Sequence, residues 1–199
     1  MPLTRKGAAT KQRIVEGTAA EIRAQGVLSM TLDDVLARTS TSKSQLFHYF
    51  PGGKEELLLA VARHEADRVI SDQQPQLSSL TSWSAWQSWR DKVLARYREQ
   101  GRNCPLNVAM SQLGRTTEGA QAVVTELMER WHAELAQGIR HMQGSGEIGP
   151  DVDADRSAAA LLAGVQGGVL ILLSTGTTDY LEAALDQGIA FLRQSRPTG

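Results

Sequence analysis

Two capping boxes close together constrain this chain more than any other feature of its sequence. Thr31-Leu-Asp-Asp34 and Ser42-Lys-Ser-Gln45 each place a hydroxyl three residues before a side chain that can reach back to it. That pairing satisfies two backbone donors left open at a helix N-terminus, so each marks a helix start. The first helix must stop near Arg38, because only Thr39, Ser40 and Thr41 separate it from the second start. The second must stop at Phe50, since Pro51 drives its predecessor out of the α region and Gly52-Gly53 completes a turn. The spacing therefore predicts two short helices joined by a three-residue turn.

Helical periodicity holds in nearly every other segment, and no run shows the alternating β-branched pattern of a strand. The fold class expected is all-α. A first helix is predicted over about Thr10–Gln25, with Ile14, Thr18 and Ile22 on one face and a stop at Gly26. After the short pair come a helix over about Lys54–Asp72, a polar linker over Gln73–Ser79, and a Trp-bearing helix over about Ser82–Gln100. A loop from Gly101 to Pro105 leads to a short helix ending near Leu113. Thr117 is read as the cap of a long helix whose Val123, Leu127, Trp131, Leu135, Ile139 and Met142 recur at helical spacing, and Gly144–Pro150 as its break. Asp153 is read as the cap of a helix reaching Leu173, and a last helix spans about Asp179–Arg193.

The net charge of −1 conceals an asymmetry. The first 54 residues hold eight Lys/Arg against four Asp/Glu, and the remainder 13 against 18. A basic head on an acidic body points to a polyanionic partner for the head alone. Cys104 is the one cysteine, so no disulfide framework is expected and a reducing, cytoplasmic setting fits. The amino terminus lacks the apolar stretch of a secretory signal. The nearly apolar run from Ala158 to Leu173, broken by Gln166 and glycines, falls short of the ~20 residues of a membrane span and reads as a buried helix, with no membrane partner expected.

Two short helices with a three-residue turn form a helix-turn-helix, whose second helix fits the DNA major groove. Here that helix opens with Lys43, Ser44 and Gln45; glutamine can bond adenine through two hydrogen bonds. Gln45 can equally serve as the capping partner of Ser42, and Phe47 can pack rather than touch DNA. Leu46 and Phe50 read as core. Thr31-Leu-Asp-Asp-Val35, Ser42-Lys-Ser-Gln-Leu-Phe-His-Tyr-Phe50 and Lys54-Glu-Glu-Leu57 together resemble the signature of the tetracycline-repressor (TetR) family, over about Arg13–Leu57. The turn Pro51-Gly-Gly-Lys54 resembles the LmrA-like, multidrug-responsive branch. Ser40 and Ser44 stand where the family often has glycine, and Leu36 where it has alanine, which bears on turn geometry and helix spacing.

That resemblance implies a three-helix DNA-binding head over 1–54 and a helical ligand-binding and dimerisation body over 55–199. It implies a homodimer formed through the last two helices, an operator in double-stranded DNA and a small-molecule effector. It further implies that Thr31, Ser42, Lys43, Phe47, His48, Tyr49 and Lys54 contact phosphates while Ser44 and Gln45 face bases. Arg5, Lys6, Lys11 and Arg13 read either as an arm reaching neighbouring phosphates or as a solvated tail.

In the body, Trp83, Trp86 and Trp89 fall on one third of a helix circumference. With Tyr97, Met110, Met128, Trp131 and Met142 they could line an apolar ligand cavity or simply pack as core. Cys104 could be a sensing thiol, though only Arg102 stands near it in sequence as a charge to lower its pKa. Asp151, Asp153 and Asp155 imitate the start of a calcium loop, but Arg156 and Leu162 occupy positions that need Gly and Glu. The histidines lack metal-ligand spacing, and no nucleophile, Walker or dinucleotide motif occurs. No cofactor, metal site or catalytic activity is expected.

Overall fold

The computed structural model describes residues 4–25, 30–102, 104, 106–107 and 117–195. Among these every regular element is helical, as the periodicity predicts. The helices are α1 (Arg5–Gln25), α2 (Leu32–Thr39), α3 (Lys43–Tyr49), α4 (Gly53–Ser71), α5 (Trp83–Gln100), α6 (Glu118–Gly144), α7 (Ala154–Thr175) and α8 (Asp179–Gln194), with a 3-10 turn at Leu77–Ser79. The short helix expected to end near Leu113 lies largely outside the described residues, as does Met110.

Two compact units emerge, one of residues 1–68 and 103–125, the other of 69–102 and 126–199. In the first, α1 starts five residues earlier than its apolar pattern suggests. Thr4 accounts for the difference: its hydroxyl accepts from the Gly7 N–H at 3.1 Å, capping a turn that contains no large apolar residue to signal it. Ile14, Ala19 and Ile22 of α1, Val35 of α2, Leu46 and Phe50 around α3, and Leu57 and Val61 of α4 are all buried. Each of two buried carboxylates meets an arginine from another helix. Glu21 of α1 pairs with Arg38 of α2, and Glu65 of α4 with Arg23 of α1 at 3.0 Å. Leaving either carboxylate alone would strand a charge away from water.

In the second unit the interior is aromatic and aliphatic. Trp86 and Trp89 of α5, Trp131 and Leu135 of α6, and Leu77 and Leu80 before α5 rank among its most completely buried side chains. Segment 73–79 is the linker between α4 and α5 that its Gln and Ser content predicts, but two of its residues, Gln73 and Leu77, are buried. Gln73 is fully buried, its amide donating to Val69 O and accepting from Trp89, and Leu77 and Leu80 insert into the core. α7 and α8 pack closely because glycine allows it: a Cβ on Gly168 would lie 2.5 Å from the Leu181 Cα. α7 has 22 residues, longer than the nearly apolar run within it, and by length and composition alone it is long and apolar enough to cross a membrane. Ala158, Leu161, Val165, Val169 and Leu172 form its buried face.

Candidate DNA-recognition helix and aromatic interior

Both capping boxes form as their sequences demand. At α2, Thr31 Oγ1 accepts from the Asp34 N–H at 3.2 Å, while the Thr31 N–H and hydroxyl donate to Asp34 Oδ2 at 2.8 and 2.7 Å. The hydroxyl bond foremost, then the backbone bond, holds the Asp34 carboxyl below its ordinary value of 3.8. At α3, Ser42 Oγ accepts from the Gln45 N–H at 3.2 Å and the Ser42 N–H donates to Gln45 Oε1 at 3.1 Å. The donors of Thr31, and the backbone donor of Ser42, are thus already engaged in starting helices.

The turn between the boxes keeps its geometry despite the serine at position 40. Ser40 takes the left-handed conformation, φ 48° and ψ 46°, that glycine adopts without penalty. Its N–H reaches back to Ala37 O, and the Thr41 N–H donates to Leu36 O at 3.1 Å, closing α2. Leu36 is half-buried and, with Leu32, Asp33, Lys43, Leu46 and Phe47, lines a small cleft between α2 and α3.

The outcome is a short helix anchored on one side and open on the other. Leu46 and Phe50 are buried, whereas Lys43, Ser44, Gln45 and His48 are exposed, Phe47 is 40% exposed and Tyr49 is half-buried. The His48 and Tyr49 rings meet edge to face at 4.9 Å. Lys54 is exposed in the first turn of α4, entered through Gly53 at φ 67°. Lys11 is not part of a free tail: it lies on α1 with its ammonium 5.1 Å from the Phe50 ring centre, and Arg5 and Lys6 are likewise on that helix.

In the body, the sequence-predicted aromatic set separates into distinct environments. Trp86 and Trp89 stack edge to face at 5.8 Å, both fully buried. The Trp89 indole N–H donates to Gln73 Oε1 at 2.7 Å, whereas the indole nitrogens of Trp86 and Trp131 are buried without a hydrogen-bond partner. Trp83 sits nearer the surface, donating to Glu147 Oε2 at 2.8 Å with the Arg193 guanidinium 5.9 Å from its ring. Tyr97 is buried and Met128 half-buried. Cys104 is buried.

A family model described as bacterial regulatory proteins, tetR family, matches residues 14–61. A second, tetracyclin repressor-like C-terminal domain, matches 83–187, more than half of the chain. The chain belongs to the TetR family. It is 23% identical over 184 residues to an uncharacterized HTH-type transcriptional regulator in the lacX 3' region of Lactococcus lactis subsp. lactis, covering 89% of this chain and 90% of that protein. The transcriptional regulator AcuR of Cereibacter sphaeroides is 22% identical over 165 residues, covering 80% and 74%. A TetR transcriptional regulator from Chloroflexus aurantiacus J-10-FL has the same fold, with a TM-score of 0.78, 24% identity, and 98% and 100% coverage.

As a TetR family member the chain is a DNA-binding transcriptional regulator, with α2 and α3 as its helix-turn-helix. Sequence reasoning did not reach one constellation in this TetR regulator. Arg90 of α5 forks onto Asp186 of α8, Nε to Oδ1 at 2.8 Å and Nη2 to Oδ2 at 2.9 Å, while Nη2 also meets Glu182 at 2.7 Å. Arg98 adds a contact to Glu182 at 3.0 Å. The Asp186 hydrogen bonds foremost raise the Arg90 pKa, fixing its charge. No local spacing could announce bonds between residues so distant in the chain.

Proposed function

We propose that this TetR regulator is a cytoplasmic homodimeric repressor that leaves a palindromic operator when a small apolar or aromatic molecule binds its body. The observation that carries the DNA half is α3, held by Leu46 and presenting Lys43, Ser44, Gln45, Phe47 and His48 outward. Ser44 and Gln45 read base edges, and Lys43, Phe47, His48, Tyr49 and Lys54 position the helix on phosphates. Thr31 and Ser42 contribute through the helix starts they cap, whose backbone N–H groups face an anion favourably.

Dimerisation through α7 and α8 is supported by what those helices leave uncovered. Leu170, Tyr180 and Phe191 are more than half exposed. Tyr180 and Phe191, eleven residues apart, project within about 20° of one another around α8. Phe191 borders a groove lined in part by Ala160, Gly164, Ala184 and Gly188, small residues that admit a second helix pair closely. An apolar surface of this kind on the last two helices fits a second copy of the chain.

The effector half rests on the tryptophans. Trp86, Trp89 and Trp131 are fully buried, so a molecule reaching them, with Trp83, Tyr97 and Met128 in the proposed lining, must displace packed side chains. A ligand that binds only a displaced packing stabilises the conformation it requires, which is how it can oppose the DNA-bound one. The test is an operator selected from random duplexes with the full-length protein. A symmetric site bound by a dimer, and released by a ligand that quenches tryptophan fluorescence, is the expected result. Monomeric binding without sequence preference would exclude it.

A further inference from the structure

A buried hydrogen-bond donor without an acceptor is costly, and two of the indoles in this body carry one. The indole N–H groups of Trp86 and Trp131 are unpartnered, and both residues are 0% exposed. They belong to one seam. Gly138 stands opposite Trp86, whose Cζ2, two bonds from the indole nitrogen, would lie 3.2 Å from a Cβ there. Trp131 precedes Gly138 by seven residues, so it lies on the same face of α6, about two turns away. The N–H-bearing edge of Trp86 is therefore turned toward the helix face that carries Trp131.

Charge around the seam narrows the chemistry further. Among the described residues the buried carboxylates are Glu21 and Glu65, both in the other unit; the buried polar residue of this unit is Gln73, which is neutral. A cationic ligand would find no buried counter-charge here. The half-buried arginines of α5, Arg90 and Arg96, are already matched by Asp186 with Glu182 and by Asp72 respectively. An anionic ligand would have to compete with those carboxylates.

From this geometry we infer that the effector is an uncharged, hydrogen-bond-accepting aromatic molecule, of the aromatic ketone, ester or quinone class, whose acceptors take the indole N–H groups of Trp86 and Trp131. The inference rests on the reading of the body as an effector domain and adds what that reading leaves open. A site built of buried donors discriminates against a ligand of equal shape that lacks the acceptor, since the donors then stay unsatisfied in the complex.

The experiment uses the full-length protein and four planar probes of similar size: fluorenone, fluorene, a fluorene carboxylate and 9-aminoacridinium, with binding followed by calorimetry. Fluorenone is expected to bind at least about tenfold more tightly than fluorene and than either charged probe. Trp86→Phe or Trp131→Phe, which keep an aromatic ring and delete the donor, should cut that preference, read as the ratio of fluorenone to fluorene affinity within each variant, to about threefold or less. Equal affinity for fluorenone and fluorene, a preference that survives both substitutions, tightest binding of a charged probe, or no binding of any probe would each overturn the inference. Operator binding, measured separately by anisotropy, keeps the underlying reading distinct. Fluorenone that binds with the expected preference but leaves operator affinity unchanged would retain the site and reject its role in DNA release.

Discussion

Trp89 donates its indole N–H to the buried Oε1 of Gln73 at 2.7 Å, and Gln73 in turn donates to the Val69 carbonyl, tying the start of the 73–79 segment to α5. Trp89→Phe leaves an acceptor buried and unpaired, so it should cost about 2–4 kcal/mol, at least about 1 kcal/mol more than Trp86→Phe. Adding Gln73→Met to Trp89→Phe should recover part of that loss. Urea unfolding at one fixed protein concentration measures all three. Equal losses for Trp86→Phe and Trp89→Phe would show that the bond to Gln73 contributes nothing.

Ser40 occupies a left-handed conformation that disfavours a side chain. Ser40→Gly should therefore stabilise the protein by about 0.5–1 kcal/mol without weakening operator binding, and Ser40→Val should destabilise it by more than that. Thermal unfolding with and without operator separates the two effects. A destabilised glycine variant would mean that the serine side chain contributes more than the strain removes.

Acid should open the first capping box. Asp34 has a folded pKa below its ordinary 3.8, so its contribution to α2 is complete above that value and is lost as pH falls through the lower, folded one. A carbon-detected NMR titration should place the Asp34 midpoint below 3.8, and Thr31→Val, which removes the leading hydroxyl bond, should move it upward. An unchanged midpoint in the valine variant would assign the shift to another cause.

Gln45 has two duties that one substitution can separate. Gln45→Glu retains an acceptor for the Ser42 N–H but removes the amide donor, so α3 should stay folded while preference at one base pair falls by roughly 1–3 kcal/mol. Lys54→Ala, by contrast, should weaken binding to all sequences and lower the salt slope by about one. If Gln45→Glu binds with full sequence preference, its side chain is a cap and nothing more.

Phe191→Asp should break the proposed dimer. The side chain is 58% exposed within one chain, so its replacement need not unfold the protein. Loss of a buried aromatic contact, with a charge in its place, should weaken association by about 2–4 kcal/mol, a roughly 30- to 1000-fold rise in dissociation constant. Sedimentation equilibrium reads this directly, with Leu170→Lys as a second variant on α7. Dimers unchanged in both would move the interface elsewhere.

What sequence could reveal follows from how far each interaction reaches along the chain. The capping boxes at Thr31–Asp34 and Ser42–Gln45 close over three residues, so their residue types alone announced them. Leu46 and Phe50 followed from helical spacing. The 73–79 linker was legible as a break between helices, but the burial of Gln73 was not, because its amide is satisfied by a tryptophan sixteen residues away. The start of α1 was missed because one hydroxyl, rather than an apolar repeat, sets it. The Arg90 fork lay beyond any local pattern, and the unpartnered nitrogens of Trp86 and Trp131 are properties of packing, which composition does not encode.

The fork between Arg90 and Asp186 gives this body a mechanical character. A single-point ion pair would let α5 and α8 swivel about it, whereas two parallel hydrogen bonds fix separation and rotation together. α5 carries Trp86 and Trp89 within about a turn of Arg90, so the fork ties the helix of these tryptophans to α8. If the proposed dimer forms through α8 and the proposed effector reaches Trp86 and Trp89, this fork is the link by which one would bear on the other.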